Sequence, residues 1–157
     1  DPRGAVPYLP AGVEEILTVI ASVPISATDT FVDIGSGLGR VVLLVHLLTG
    51  ARAHGIEIQA PLVQLARRTA ANLGLTRVSF ERADASDVRL EGTVFFLYSP
   101  LTGDALRRLL FSLRELSERQ PLVVCAVGLS FDGEPWLSPR PRQSAAVTCY
   151  DAPPRVC

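Results

Sequence analysis

The stretch Phe31-Val-Asp-Ile-Gly-Ser-Gly-Leu-Gly-Arg40 constrains the fold more than any other in the chain. A β-branched and aromatic run (Phe31, Val32, Ile34) reads as a short buried strand. It breaks into glycines at positions 35, 37 and 39, just where an apolar helix is expected to begin at Leu38. Strand, tight turn and helix in that order open an α/β unit. Glycine permits unusual backbone angles and lets a ligand approach the main chain, while the first free amides of the helix attract a phosphate or a carboxylate.

Spacing separates those two anions. A dinucleotide-binding G-x-G-x-x-G would place its third glycine at position 40, which is Arg40. What stands instead is D-x-G-x-G-x-G, with Asp33 at the carboxyl end of the strand. An acid there is awkward for a pyrophosphate and suits an ammonium. This motif resembles the first motif of the class I, seven-strand S-adenosylmethionine-dependent methyltransferases. The resemblance implies an α/β fold: a doubly wound, mostly parallel, Rossmann-like sheet of seven strands, preceded by an arm and helix and closed by an antiparallel C-terminal hairpin. It implies S-adenosyl-L-methionine as cofactor, its methionine end over Asp33, Gly35, Ser36, Gly37 and Gly39, where open turn amides would take the carboxylate.

Length and composition fit that frame. The 157 residues are enough for one domain with a real core, residues 1–24 forming the arm and helix and 29–157 the cofactor-binding core. The longest apolar run, Val41 to Leu48, is too short to span a bilayer, so no membrane partner is expected. Fifteen basic and sixteen acidic residues give no electrostatic signal for nucleic acid. Cysteines at 125, 149 and 157 lack metal-site spacing, no metal is expected, and a reducing, cytoplasmic setting fits them. A chain without methionine that begins at Asp1 is expected to be longer at its N-terminus in its native form.

Pro2 to Pro10 reads as an extended arm, followed by a helix marked by Val13, Ile16, Leu17 and Ile20. Tyr8 either closes over the cofactor or packs under the arm. The helix from Leu38 to about Thr49 is apolar nearly all round, as if covered by a further layer, and His46 within it reads as a hydrogen-bonded core or edge histidine. Ala53 to Ile58 is a second strand ending in an acid. In a doubly wound sheet such an acid reaches the hydroxyls of a ribose, so Glu57, with Ile58 beside it, joins the cofactor set. A strand-tip acid waiting for a ligand is expected to be solvated in the free protein. Val78 to Phe80 is a third strand. The resemblance places the acid after it, Asp84, on the adenine amine together with the Ala85 amide, with Asp87 as a competing assignment or a cap of the next turn.

Thr93 to Pro100 is the fourth strand, ending at the switch point where the methyl group would face its acceptor. Nucleic-acid amino methyltransferases carry N/D-P-P-Y/F there. Tyr98-Ser-Pro-Leu101 keeps one proline of that pattern, which turns the expectation away from nucleobases and makes Tyr98 the candidate catalytic and acceptor-lining residue, counted with the cofactor set as well. Gly103 to Glu118 is an amphipathic helix and Leu122 to Val127 a fifth, buried strand. Three prolines at 135, 139 and 141 and the run Ala145 to Tyr150 then indicate an edge hairpin, strands six and seven, with the helix before strand six absent or vestigial.

The run D-I-G-S-G-L-G-R-V-V-L is similar to the first motif of non-SET lysine methyltransferases, and Val6-Pro-Tyr-Leu-Pro10 to their arm, so a protein lysine is slightly favoured as methyl acceptor. Ala11 and Leu38 depart from that subfamily. The alternatives are a small-molecule or nucleic-acid methyltransferase, a non-catalytic nucleoside-binding module, and an NAD-dependent enzyme, which Arg40 disfavours.

Overall fold

The computed structural model describes residues 12–98, 101–142 and 144–154. Tyr8 and the rest of the expected arm lie outside them, as do Ser99 and Pro100.

The first helix, α1 (Val13–Ser22), buries Ile16 and Val19 and leaves Val13 and Leu17 exposed. Strands β1 (Thr30–Ile34), β2 (Arg52–Glu57), β3 (Val78–Arg82) and β4 (Val94–Tyr98) are mutually parallel, and β5 (Leu122–Val127) continues them beside β4. Strand β7 (Val147–Ala152) runs antiparallel to β5 and to the two-residue β6 (Ser138–Pro139), giving the sheet order β3-β2-β1-β4-β5-β7-β6. This is the expected seven-strand, Rossmann-like arrangement with an antiparallel end. The carboxyl ends of β1 to β4 therefore lie along one edge.

Helix α2 (Arg40–Thr49) starts two residues later than expected. Gly35, Gly37 and Gly39 all take left-handed φ angles (79°, 54° and 83°), so the turn runs through Gly39 before the helix can begin. Nor is α2 covered all round: Leu47 and Leu48 are more than half exposed, because α1 packs on one side of it only. His46 Nδ1 lies 2.6 Å from the Ala51 carbonyl, the hydrogen-bonded edge role expected of it.

Side chains alternate across the sheet. Phe31, Val94 and Phe96 face α1 and α2, and Ala53, Val78 and Phe80 continue that face under α3 (Ala60–Asn72). Val32, Ile34, Phe95 and Leu97 point the other way, against Leu109, Leu113 and Leu116 of α4 (Gly103–Ser117). As expected, no helix precedes β6, and the segment 128–137 makes the connection from β5. It is held by Tyr150, whose buried hydroxyl accepts from the Phe131 amide at 3.0 Å and donates to Asp132 at 2.9 Å. Phe131 and Leu137 fill the space under it. Arg140 ties the last hairpin to α1, donating from Nη1 to the Ser22 carbonyl (2.8 Å) and from Nε and Nη2 to the Asp151 carboxylate.

Candidate active site

The glycine turn is held by hydrogen bonds to β2. The amides of Gly35 and Ser36 both donate to the Ile56 carbonyl (2.8 and 3.0 Å), Gly37 donates to Glu57 Oε2 (2.9 Å), and Gly39 donates to the Ser36 carbonyl (2.8 Å). The turn amides expected to be open for an anion are thus occupied. Among the described residues, the amides without a partner here are those of Leu38, Arg40, Val41 and Val42. They form the lip of the turn and the first turn of α2, where the helix dipole also favours an anion.

Gly39 answers a second demand. A Cβ there would lie 2.5 Å from Phe80 Cζ, and one on Gly55 would lie 2.6 Å from Phe80 Cδ1, so the two glycines make the room that the Phe80 ring fills. Gly55 belongs to this site's support and escaped the sequence reading, although a glycine inside a strand is itself a sign of close approach. The same virtual Cβ on Gly55 would lie 2.5 Å from Ser36 Oγ, which is buried without a hydrogen-bond partner. The Ser36 hydroxyl is therefore turned toward β2.

Two carboxylates sit below the turn. Asp33 is 3 % exposed and no described residue donates to its side chain. Burial, and then the nearby charge of Glu57, pushes its pKa up to about 8. Glu57 is 6 % exposed and accepts from the Gly37 and Gln59 amides, both at 2.9 Å. The expectation of a solvated acid at the tip of β2 is corrected: Glu57 is part of the turn's scaffold before any ligand arrives. Ile58, next to it, is 60 % exposed, an apolar side chain left uncovered at the strand tip.

Beyond β3, Asp84 Oδ1 accepts from both the amide (2.9 Å) and the hydroxyl (2.7 Å) of Ser86. These bonds hold its pKa below the usual carboxylate range. Ser86 in turn accepts from Arg108 of α4 at 3.0 Å. The Asp-x-Ser spacing was a readable sign of this turn. Asp87 is exposed and pairs with Arg108 at 3.6 Å, while its amide caps back to the Asp84 carbonyl. Ala85 is buried. Tyr98, at the end of β4 opposite Val127 of β5, is partly buried against the apolar layer beneath α1 and α2.

The edge so formed collects an acid at each of three successive elements, helix-start amides and an exposed apolar tip, a donor and acceptor set that fits S-adenosylmethionine. Residues 25–95 match the family described as methyltransferase domain. The fold superposes on the crystal structure of an RNA methyltransferase from Salinibacter ruber in complex with S-adenosyl-L-homocysteine. The TM-score is 0.73 at 29 % identity, covering 95 % of this chain and 97 % of that one. It also resembles a variant of MtNAS in complex with S-adenosylmethionine (TM-score 0.68, 16 % identity, 88 % of this chain and 61 % of that one). A third neighbour is geranyl diphosphate C-methyltransferase from Streptomyces coelicolor A3(2) with S-adenosyl-L-homocysteine (TM-score 0.58, 20 % identity, 73 % and 44 %). The chain is a class I S-adenosylmethionine-dependent methyltransferase. Its cofactor is S-adenosyl-L-methionine, and among the described residues no helix is long and apolar enough to cross a membrane.

Proposed function

We propose that the cofactor lies along the carboxyl edge of β1 to β4 and that the acceptor approaches over Tyr98. The observation that carries this reading is the row formed by the buried Glu57, the uncovered Ile58 and the oriented Asp84. A carboxylate offers about four lone-pair positions. Glu57 uses two on main-chain amides, which leaves two for the hydroxyls of a ribose. Asp84 spends Oδ1 on Ser86 and keeps Oδ2 for the exocyclic amine of adenine, with Ile58 giving an apolar surface to the base. Asp33 meets the ammonium of the methionine moiety, and the amides of Leu38 and Arg40 to Val42 meet its carboxylate.

When bound, the cofactor supplies a methyl group on a sulfonium for in-line displacement. The residues here orient donor and nucleophile and exclude water, effects worth up to roughly 7 to 11 kcal/mol in well-aligned cases. Tyr98 walls the side from which the nucleophile enters.

RNA is the acceptor class that the comparisons favour, because the neighbour matched over nearly its whole length is described as an RNA methyltransferase. Arg40 and Arg82, exposed at the same edge without a carboxylate partner among the described residues, suit a phosphate backbone. The leaning toward protein lysine finds no comparable support. Calorimetry should show S-adenosylhomocysteine binding that is lost in Asp84→Ala. Labelled methyl groups should enter a total-RNA fraction in nuclease-sensitive form. Protease-sensitive label would overturn the RNA assignment, and absence of binding would overturn the placement of the cofactor.

A further inference from the structure

Cys125 of β5 and Cys149 of β7 stand directly opposite each other, both buried and both unlinked. The hydrogen-bond pattern fixes what kind of pair they are. The Gly128 amide donates to the Ala146 carbonyl, which makes 128 and 146 a hydrogen-bonded pair. Such pairs alternate along an antiparallel ladder, so 126 with 148 and 124 with 150 are hydrogen-bonded, and 125 with 149 is not. A second bond agrees: the Cys149 carbonyl accepts from the Arg140 amide at 2.8 Å and is therefore turned toward β6, away from β5.

Non-hydrogen-bonded pairs bring their α-carbons to about 4.5 Å, against about 5.5 Å for the other kind. That lies inside the roughly 4.4 to 6.8 Å range of disulfide-linked cysteines, and the strand alternation sends both side chains to the same face. We propose that Cys125 and Cys149 are a redox-active dithiol that closes to a cross-strand disulfide without moving the backbone.

The chemistry is balanced with hydrogen peroxide as oxidant. A hydrogen bond from the Cys125 thiol favours the thiolate of Cys149, lowering its pKa and raising that of Cys125. Cys149 sulfur attacks one peroxide oxygen, breaking the O–O bond and giving a sulfenic acid and, with the thiol proton, water. Cys125 sulfur then attacks the sulfenic sulfur, forming the S–S bond and releasing a second water. Two thiols are oxidised by two electrons and one peroxide is reduced. The bond would weld the antiparallel end of the sheet to its parallel part. Two residues beyond Cys125, Val127 is the register partner of Tyr98, so the weld falls beside the acceptor strand.

The test uses the chain with Cys157→Ser, so that these are its two cysteines. After peroxide treatment, mass spectrometry should show a loss of about 2 Da and no alkylation in denaturant. The melting temperature should rise by about 5 °C, since the link closes the segment from 125 to 149 in the unfolded chain, and dithiothreitol should reverse it. Cys125→Ala and Cys149→Ala, each checked for native circular dichroism, should give neither effect. Two alkylatable thiols remaining after treatment, a link between chains instead of within one, or a fall in melting temperature on oxidation would each overturn the proposal.

Discussion

Glu57 Oε2 accepts the amide hydrogen of Gly37 at 2.9 Å, so the acid at the tip of β2 holds the turn at the tip of β1. On the reading above, one side chain is thereby asked both to shape the cofactor's bed and to grip its ribose.

Glu57→Ala should therefore damage both properties. Leaving the Gly37 and Gln59 amides without their acceptor should cost about 1 to 3 kcal/mol of stability, or roughly 2 to 4 °C of melting temperature per kcal/mol. Affinity for S-adenosylhomocysteine should fall about tenfold or more. Glu57→Gln keeps one acceptor oxygen and should lose less of each. Denaturant melts and calorimetry on the same two variants check this, and a stability loss with unchanged affinity would leave Glu57 a purely structural residue.

Asp33 should make the free protein sensitive to pH. Its folded pKa, about 8, lies above the ordinary value of 3.8. The folded state thus keeps a proton that the unfolded state has lost between those values, and stability falls as pH rises across that window. Asp33→Asn should flatten this part of the pH profile of the melting temperature. Binding of an ammonium beside Asp33 should favour the carboxylate, so that at about pH 6.5 cofactor binding releases a proton. Calorimetry in buffers of different ionisation heat measures that release, which should vanish in the Asn variant.

Gly39→Ala should destabilise the fold by about 2 to 4 kcal/mol, through overpacking against Phe80 and through a left-handed φ of 83° that suits glycine. Phe80→Leu in the same chain should restore the steric part and leave the backbone part. A double-mutant cycle by urea unfolding separates the two, and strictly additive effects would show that the ring is not what Gly39 accommodates.

Tyr98→Ala should lower kcat by about tenfold while the KM for S-adenosylmethionine stays within about twofold, on the reading that the acceptor enters over this side chain. Steady-state kinetics at saturating acceptor decide this, and an equal loss in cofactor affinity would move Tyr98 to the cofactor side.

The parts of this site that the sequence made legible are local. Asp33 and the three glycines form one unbroken motif, and Glu57 and Asp84 each follow a short apolar strand at the distance an α/β repeat requires. What stayed hidden depends on residues far apart. That the Ile56 carbonyl absorbs two turn amides, that Glu57 is buried, and that Gly55 and Gly39 open a space for Phe80 all follow from how β1, β2 and β3 lie side by side. Likewise, the loss of a helix before β6 was visible in the prolines, but the Tyr150 hydroxyl that holds segment 128–137 in its place was not.

Arg140 reaches across 118 residues to the Ser22 carbonyl, and α1 packs against β7. During synthesis α1 leaves the ribosome well before β7 does, so it waits for the last part of its seat. Phe31, Val41, Val45, Val94 and Phe96 can cover Ile16 and Val19 before then, whereas Val147 and Cys149 arrive only with β7. The seating of α1 is completed only when β7 joins the sheet, and a chain cut before Val147 would leave that side of the helix bare.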